Sequence, residues 1–211
     1  MRILVFGAST TQGFWDSEGG WVARLRKHYD VLQVRDRTSK QPVIFNLGIS
    51  ADTVGDVLAR FQPETEARKR HGDLAFIFSI GSNNAAEGAY RLTFEPDAYE
   101  KGMEELVQQA KRYSEKILLV GLPNCDEKLT TPVDWADVHY TNERIKIIED
   151  RMRKVAQENK LPFLAIFEEF KRFQEAGEQI LFDGLHPNNK GHEFMASLIQ
   201  PELEKLLKQA D

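Results

Sequence analysis

The chain has 211 residues, 41% of them hydrophobic and 29% charged, and a net charge of −5. That length and balance suit one α/β domain spanning residues 1–211 and argue against disorder. The acidic balance argues against a nucleic-acid binder, which carries a clustered basic face, and the single cysteine, Cys125, excludes an intrachain disulfide.

The N-terminal run Ile3 to Phe6 is short, apolar and β-rich, and stops at Gly7. It reads as a core strand rather than a leader, so a cytoplasmic location is the expectation. No apolar run approaches the ~20 residues needed to span a bilayer, so no membrane anchor is expected either. Directly after this strand comes Gly7-Ala8-Ser9-Thr10-Thr11-Gln12-Gly13. A serine on a strand-to-helix turn exposes its hydroxyl at the sheet rim, beside backbone N–H groups that favour negative charge. A glycine-rich turn with a capping serine explains the same segment. A phosphate loop fits less well, because the Gly-Lys-Ser/Thr ending is missing.

Trp21 to Tyr29 has a helical period, with Trp21, Val22 and Leu25 on one face. Val43 to Phe45 is a second strand, followed by Asn46-Leu47-Gly48-Ile49-Ser50. Asp52-Thr53 can cap a helix to about Phe61. The short basic run Arg68 to His71 reads as a solvated helix end. Leu74 to Ile80 is a third strand and runs into Gly81-Ser82-Asn83-Asn84. Pro96 to Tyr113 is helical, Ile117 to Val120 is a fourth strand, and Val138 to Asn159 reads as a long amphipathic helix. Leu161 to Phe167 is the fifth strand, and Lys190 to Leu207 the last helix. Continuous apolar strands alternating with helices indicate an open parallel sheet covered on both faces. Ligands of such sheets bind beyond the carboxyl ends of the strands, where these polar segments collect.

The closing segment is Asp183-Gly184-Leu185-His186-Pro187. An aspartate and a histidine three apart on a turn can face the same way. The carboxylate then holds one ring nitrogen while the other meets a serine. A polar loop that caps the last helix, through Asn188 or Asn189, is the plainer explanation. The glycine and asparagine after strands two and three can supply oxyanion donors, although ordinary turn chemistry explains each alone.

Taken in order, Ser9, Gly48, Asn83 and the Asp183/His186 pair resemble the four blocks of the SGNH hydrolases, also called the GDSL lipase/acylhydrolase family. The resemblance covers residues 3 to about 198. It implies a three-layer flavodoxin-like sandwich with a five-stranded parallel sheet. It also implies a serine-dependent hydrolase of carboxylic esters, deacetylation of small or sugar esters being one form of it. Ser9 would then be the nucleophile, His186 the base and Asp183 its orienting acid. The Ser9 N–H, the Gly48 N–H and the Asn83 side chain would form the oxyanion hole. No cofactor or metal is implied, and the partner is a small-molecule ester. The chain departs from the family pattern at Ala8 and Asn84, where acids are usual, so altered loop hydrogen bonding is expected there.

Two other readings share the fold: a non-catalytic domain, and a nucleotide- or phosphate-binding flavodoxin-like domain. His28, His71 and His139 show no metal spacing and read as surface residues, with His192 on the last helix. Cys125 reads as a bystander, and Glu168 or Glu169 as a less well spaced alternative to Asp183. Trp15 and Trp135, on loops at the strand ends, are candidates to line the substrate pocket.

Overall fold

The computed structural model describes residues 1–70, 72–89 and 93–208; His71, expected at the surface, lies outside the described residues. β1 (Arg2–Gly7) leads through the four-residue α1 (Ser9–Gln12) to α2 (Gly20–Arg35). β2 (Val43–Gly48), α3 (Val54–Lys69) and β3 (Leu74–Ser79) follow, then a 3-10 turn (Ser82–Asn84) and the short β4 (Glu87–Gly88). α4 (Pro96–Lys111), β5 (Ile117–Val120), α5 (Glu127–Thr130), β6 (Val138–His139) and α6 (Asn142–Glu158) come next. β7 (Phe163–Leu164), α7 (Phe167–Glu175) and α8 (Asn189–Lys208) complete the order.

Five strands form one parallel sheet in the order β2-β1-β3-β5-β7. This is the flavodoxin-like order, and it reverses direction between β1 and β3. At that switch point the connections leave to opposite sides, opening a crevice at the strand ends. Ser9 follows β1 and Asn83 follows β3, so the two segments flank it.

The apolar runs divide by the period of a strand. Leu4, Phe6, Phe76, Phe78, Ile117 and Leu119 face α3, α4 and α6, where Phe61, Met103 and Met152 are fully buried. Ile3, Val5, Ala75, Ile77, Leu118 and Val120 face α2 and α8, where Trp21, Leu25, Met195 and Ile199 are buried. Both faces are covered, which is why the central strands β1, β3 and β5 run apolar without alternation.

Three expected elements differ. The fifth strand narrows from Leu161–Phe167 to the ladder at Phe163–Leu164, because Ile166 already adopts a helical backbone and Phe167 begins α7. The long helix starts at Asn142 instead of Val138. Val138 and His139 pair with Glu87 and Gly88, and Thr141 caps α6 by accepting the Arg144 N–H. α3 continues past Phe61 and through Pro63 to Lys69. Pro63 lies on its exposed side, while Phe61 and Thr65 stay buried.

A buried carboxylate ties the sheet's far edge to α6. Glu149 is fully buried, and its Oε2 accepts the N–H of Leu122 at 2.9 Å and of Phe167 at 3.1 Å. Gly121 permits this, since a Cβ there would lie 2.4 Å from that oxygen. Burial raises the Glu149 pKa, against the pull of the Leu122, Phe167 and Ile166 N–H groups and of Arg153. A raised folded-state pKa means that the folded protein binds this proton more tightly than the unfolded chain. The associated stability is full below the ordinary glutamate pKa and is lost as pH rises through the raised value.

Glu149→Ala strands two buried N–H groups and is expected to cost at least about 2 kcal/mol in denaturant unfolding at neutral pH. Glu149→Gln keeps an acceptor, retains most of the stability and loses the pH-dependent component just described. Equal stability profiles for Glu149→Gln and the parent from acid to neutral pH would contradict this assignment.

Candidate active site

The loop before α8 folds around one aspartate. Asp183 Oδ1 accepts the backbone N–H of Leu185 at 3.0 Å and of His186 at 2.8 Å, closing a tight turn. Gly184 takes the left-handed backbone this turn needs, at φ 87°. The Phe182 N–H donates to the His186 carbonyl at 2.8 Å and seals the loop. Asn188 then caps α8, its Oδ1 accepting the N–H of Lys190 and Gly191. The Asp-x-x-His spacing thus becomes a rigid hairpin that presents the imidazole.

That imidazole joins the two ends of the chain. His186 Nδ1 lies 2.7 Å from Asp183 Oδ2, and His186 Nε2 lies 2.9 Å from Ser9 Oγ. A carboxylate only accepts, so Nδ1 carries the proton and Nε2 receives the Ser9 hydroxyl. Ser9 and His186 are both buried. Burial by itself would raise the Asp183 pKa, but bonds from the His186 ring and backbone and the Leu185 N–H outweigh it and hold the carboxyl below its ordinary value. Asp183 is therefore ionised across the neutral range.

The residues expected to supply oxyanion donors divide. Asn83 is buried, and its side chain is fixed at both ends. Nδ2 donates to the Asp52 carbonyl at 2.9 Å, and Oδ1 accepts from the Tyr140 hydroxyl at 3.1 Å. A carbonyl can only accept, so the amide orientation is unambiguous and one Nδ2 hydrogen is left over. Burial and the nearby Asp183 charge push Tyr140 up to about 12, which keeps it a donor.

Gly48 is a correction. Its N–H donates to Asn46 Oδ1 at 3.0 Å, within its own loop. A glycine is needed there for packing, since a Cβ would lie 2.3 Å from the Gln12 nitrogen on α1. Asn46 Nδ2 in turn donates to the Thr11 and Gln12 carbonyls, and Gln12 Oε1 accepts the Ser50 N–H. The loop after β2 is thus sewn to the serine's helix. Three residues on, Ala51 adopts a left-handed backbone at φ 69°. Among the described residues, the N–H groups of Ala51 and Ser9 donate to nothing.

The two departures from the family pattern resolve differently. Ala8 is buried and supplies no side-chain cap to α1. Asn84 still braces its loop, its Oδ1 accepting the Val54 N–H at the start of α3.

Several site residues escaped the sequence reading. Asp52, buried and bonded to Arg60 at 2.6 Å, carries the carbonyl that orients Asn83. His192 is fully buried under the serine loop, where Nε2 donates to the Phe14 carbonyl and Nδ1 accepts the Trp21 N–H. Burial lowers its pKa and keeps it neutral. Trp15 and Trp135 do reach the site. The Trp135 ring lies 5.9 Å from that of His186, and Trp15 Nε1 donates to Asp183. Glu168 and Glu169 sit on the first turn of α7, and Cys125 is buried with its thiol on the Tyr140 carbonyl. Among the described residues, no group of three or more His, Cys, Asp or Glu is placed to hold a metal ion, and no helix is long and apolar enough to cross a membrane.

Known proteins resemble this chain along nearly its whole length. An isoamyl acetate-hydrolyzing esterase from Saccharomyces cerevisiae is 28% identical over 98% of this chain and 86% of its own. A thioesterase 1/protease 1/lysophospholipase L1 from Escherichia coli is 24% identical over 97% of this chain and 84% of its own. The solved acetylxylan esterase Axe2 from Geobacillus stearothermophilus superposes with a TM-score of 0.74 at 21% identity, covering 96% of this chain and 93% of that one. The family model for GDSL-like lipase/acylhydrolases matches residues 5–194. This chain belongs to the GDSL-like lipase/acylhydrolase family and is a carboxylic ester hydrolase.

Proposed function

We propose that the protein hydrolyses small, short-acyl esters, acetates foremost, through an acyl-enzyme on Ser9. The observation that carries this is the 2.9 Å bond from Ser9 Oγ to an imidazole already held by an ionised Asp183. His186 takes the hydroxyl proton as Oγ attacks the ester carbonyl, and Asp183 stabilises the imidazolium that forms. The imidazolium then gives its proton to the departing alcohol. Water, activated by the same imidazole, releases the acid and frees Ser9.

The developing oxyanion needs donors that are not already spent. The remaining Asn83 Nδ2 hydrogen and the Ser9 N–H qualify. For the third donor we put the Ala51 N–H in place of that of Gly48. Ala51 precedes the residue whose carbonyl holds Asn83, and its N–H has no other partner among the described residues.

The choice of a short acyl group rests on two relatives: the isoamyl acetate esterase and the acetylxylan esterase are both named for acetate esters. A cavity of about 330 Å³ beside Asn83, lined in part by Thr53, Val54, Leu58 and Tyr99, adjoins the site and leaves room for a further part of the substrate.

Ser9→Ala is expected to lower kcat/KM on p-nitrophenyl acetate by at least about 10³-fold with the fold intact. Survival of activity would remove Ser9 from the reaction. In a p-nitrophenyl ester series, kcat/KM should peak at acetate to butyrate and fall for long chains. A preference for long acyl thioesters or lysophospholipids would refute the short-acyl assignment.

Asn83→Ala should lower kcat by about 10²–10³-fold with little change in KM. Ala51→Gly relieves a left-handed alanine and should raise unfolding stability by about 0.5–1 kcal/mol with activity retained. Gly48→Ala should instead destabilise the fold, because its Cβ meets backbone. A stable Gly48→Ala protein with kcat selectively lost would restore Gly48 as a donor.

A further inference from the structure

Asp183 accepts four hydrogen bonds, and one comes from outside its own turn. Oδ1 takes the N–H of Leu185 and of His186, and Oδ2 takes the His186 ring. The fourth donor is the Trp15 indole, its Nε1 at 3.1 Å from Oδ2. A carboxylate offers about four acceptor positions, so the set is complete.

Trp15 reaches this position at a conformational cost. Its φ is 63°, a left-handed backbone that a bulky side chain rarely adopts. Burial does not account for the strain, since the residue is 51% exposed. The ring packs against Phe14 at 5.4 Å and Phe182 at 5.3 Å, and Phe14 lies 5.8 Å from the His186 ring. Strain of this kind persists where the surroundings fix a residue for a purpose. What the strained backbone secures here is the indole's bond to Asp183, which links the loop of Ser9 to the hairpin of His186.

We propose that Trp15 is a positioning residue for the hydrolysis, its indole N–H locking the Asp183 carboxylate in the plane that aims His186 at Ser9. This rests on the assignment of Ser9, His186 and Asp183 made above. With the fourth donor in place, the carboxylate cannot rotate without losing a bond. The same donor draws charge away from Oδ2, so its loss leaves a carboxylate that attracts the imidazolium proton more strongly. Two effects follow from removing the N–H alone: weaker aim, read in kcat, and a shift of the acid limb of the pH profile to higher pH.

Trp15→Phe keeps an aromatic ring and removes the donor. On a short alkyl acetate, kcat is expected to fall about five- to tenfold, with KM within about twofold of the parent. The acid limb of kcat/KM should move to higher pH, and the melting temperature should stay close to that of the parent. Site-specific replacement of Trp15 by its 3-benzothienyl analogue, which exchanges N–H for sulfur in the same shape, should give the same result even if Trp15→Phe folds poorly. An unchanged kcat and acid limb in the analogue, or a loss confined to KM, would overturn the proposal and leave Trp15 as a wall of the substrate cleft. Ser9→Ala, assayed in parallel, separates the two claims: residual activity there defeats the triad itself, whatever Trp15 does.

Discussion

One hydrogen bond connects residues near opposite ends of this chain: Ser9 Oγ to His186 Nε2, 2.9 Å long and bridging 177 positions. Neither partner could be held there by local structure. Ser9 depends on β1 ending at the sheet's switch point and on a four-residue helix that turns away at once. His186 depends on a hairpin wound around Asp183 and on α8, which packs against α2 and the back of the sheet. The two apolar faces of the sheet fix the distance between these supports. Burial of Leu4, Phe6 and Phe78 on one side, and Ile3, Val5 and Ile77 on the other, leaves the strand ends little freedom to shift.

The rim is stiffened by polar groups, each satisfied by a neighbour on another segment. Asn46 joins β2 to α1, and Asn84 joins the loop after β3 to α3. Asp52 joins Asn83 to Arg60, whose guanidinium also reaches the Gly7 carbonyl beside the serine. His192 joins the loop after Ser9 to α2. Buried hydrogen bonds of this kind add about 1 kcal/mol each to stability, but leaving one unmade costs more. Their larger effect here is on shape. A network that is complete in only one arrangement keeps the groups we propose as nucleophile, base and oxyanion donor at preset positions before any ester arrives.

Much of this was legible in the sequence. The five apolar runs and their glycine stops pointed to the sheet, because a strand covered on both faces needs no alternation. Ser9, Asp183, His186 and Asn83 fall at strand ends or on the closing loop, where α/β topology collects ligand groups. Ser9, His186 and Asp183 bond in series, and Asn83 stands on the rim beside them. Gly48 misled because two physical demands produce the same letter. A glycine admits a reacting oxygen close to its backbone, and it equally admits a packed helix; here α1 takes the space. Ala51, the donor we propose in its place, gave no signal, since a left-handed alanine is invisible without dihedral angles. Asp52, Tyr140 and His192 were likewise obscured. Their roles come from partners 31 to 178 positions away, and no local pattern encodes such pairs. The short fifth strand and the late start of α6 have a similar cause, as tertiary contacts by Glu149 and β4 overrule the local apolar pattern.

A crystal structure of the protein inactivated with a small alkyl fluorophosphonate tests the central claim most directly. The adduct mimics the tetrahedral species, with its phosphoryl oxygen standing where the oxyanion forms. The expected result is phosphorus bonded to Ser9 Oγ, with that oxygen within hydrogen-bonding distance of the Ser9 N–H, the Ala51 N–H and Asn83 Nδ2. An adduct on another residue, or a phosphoryl oxygen turned away from Asn83 toward bulk solvent, would contradict it.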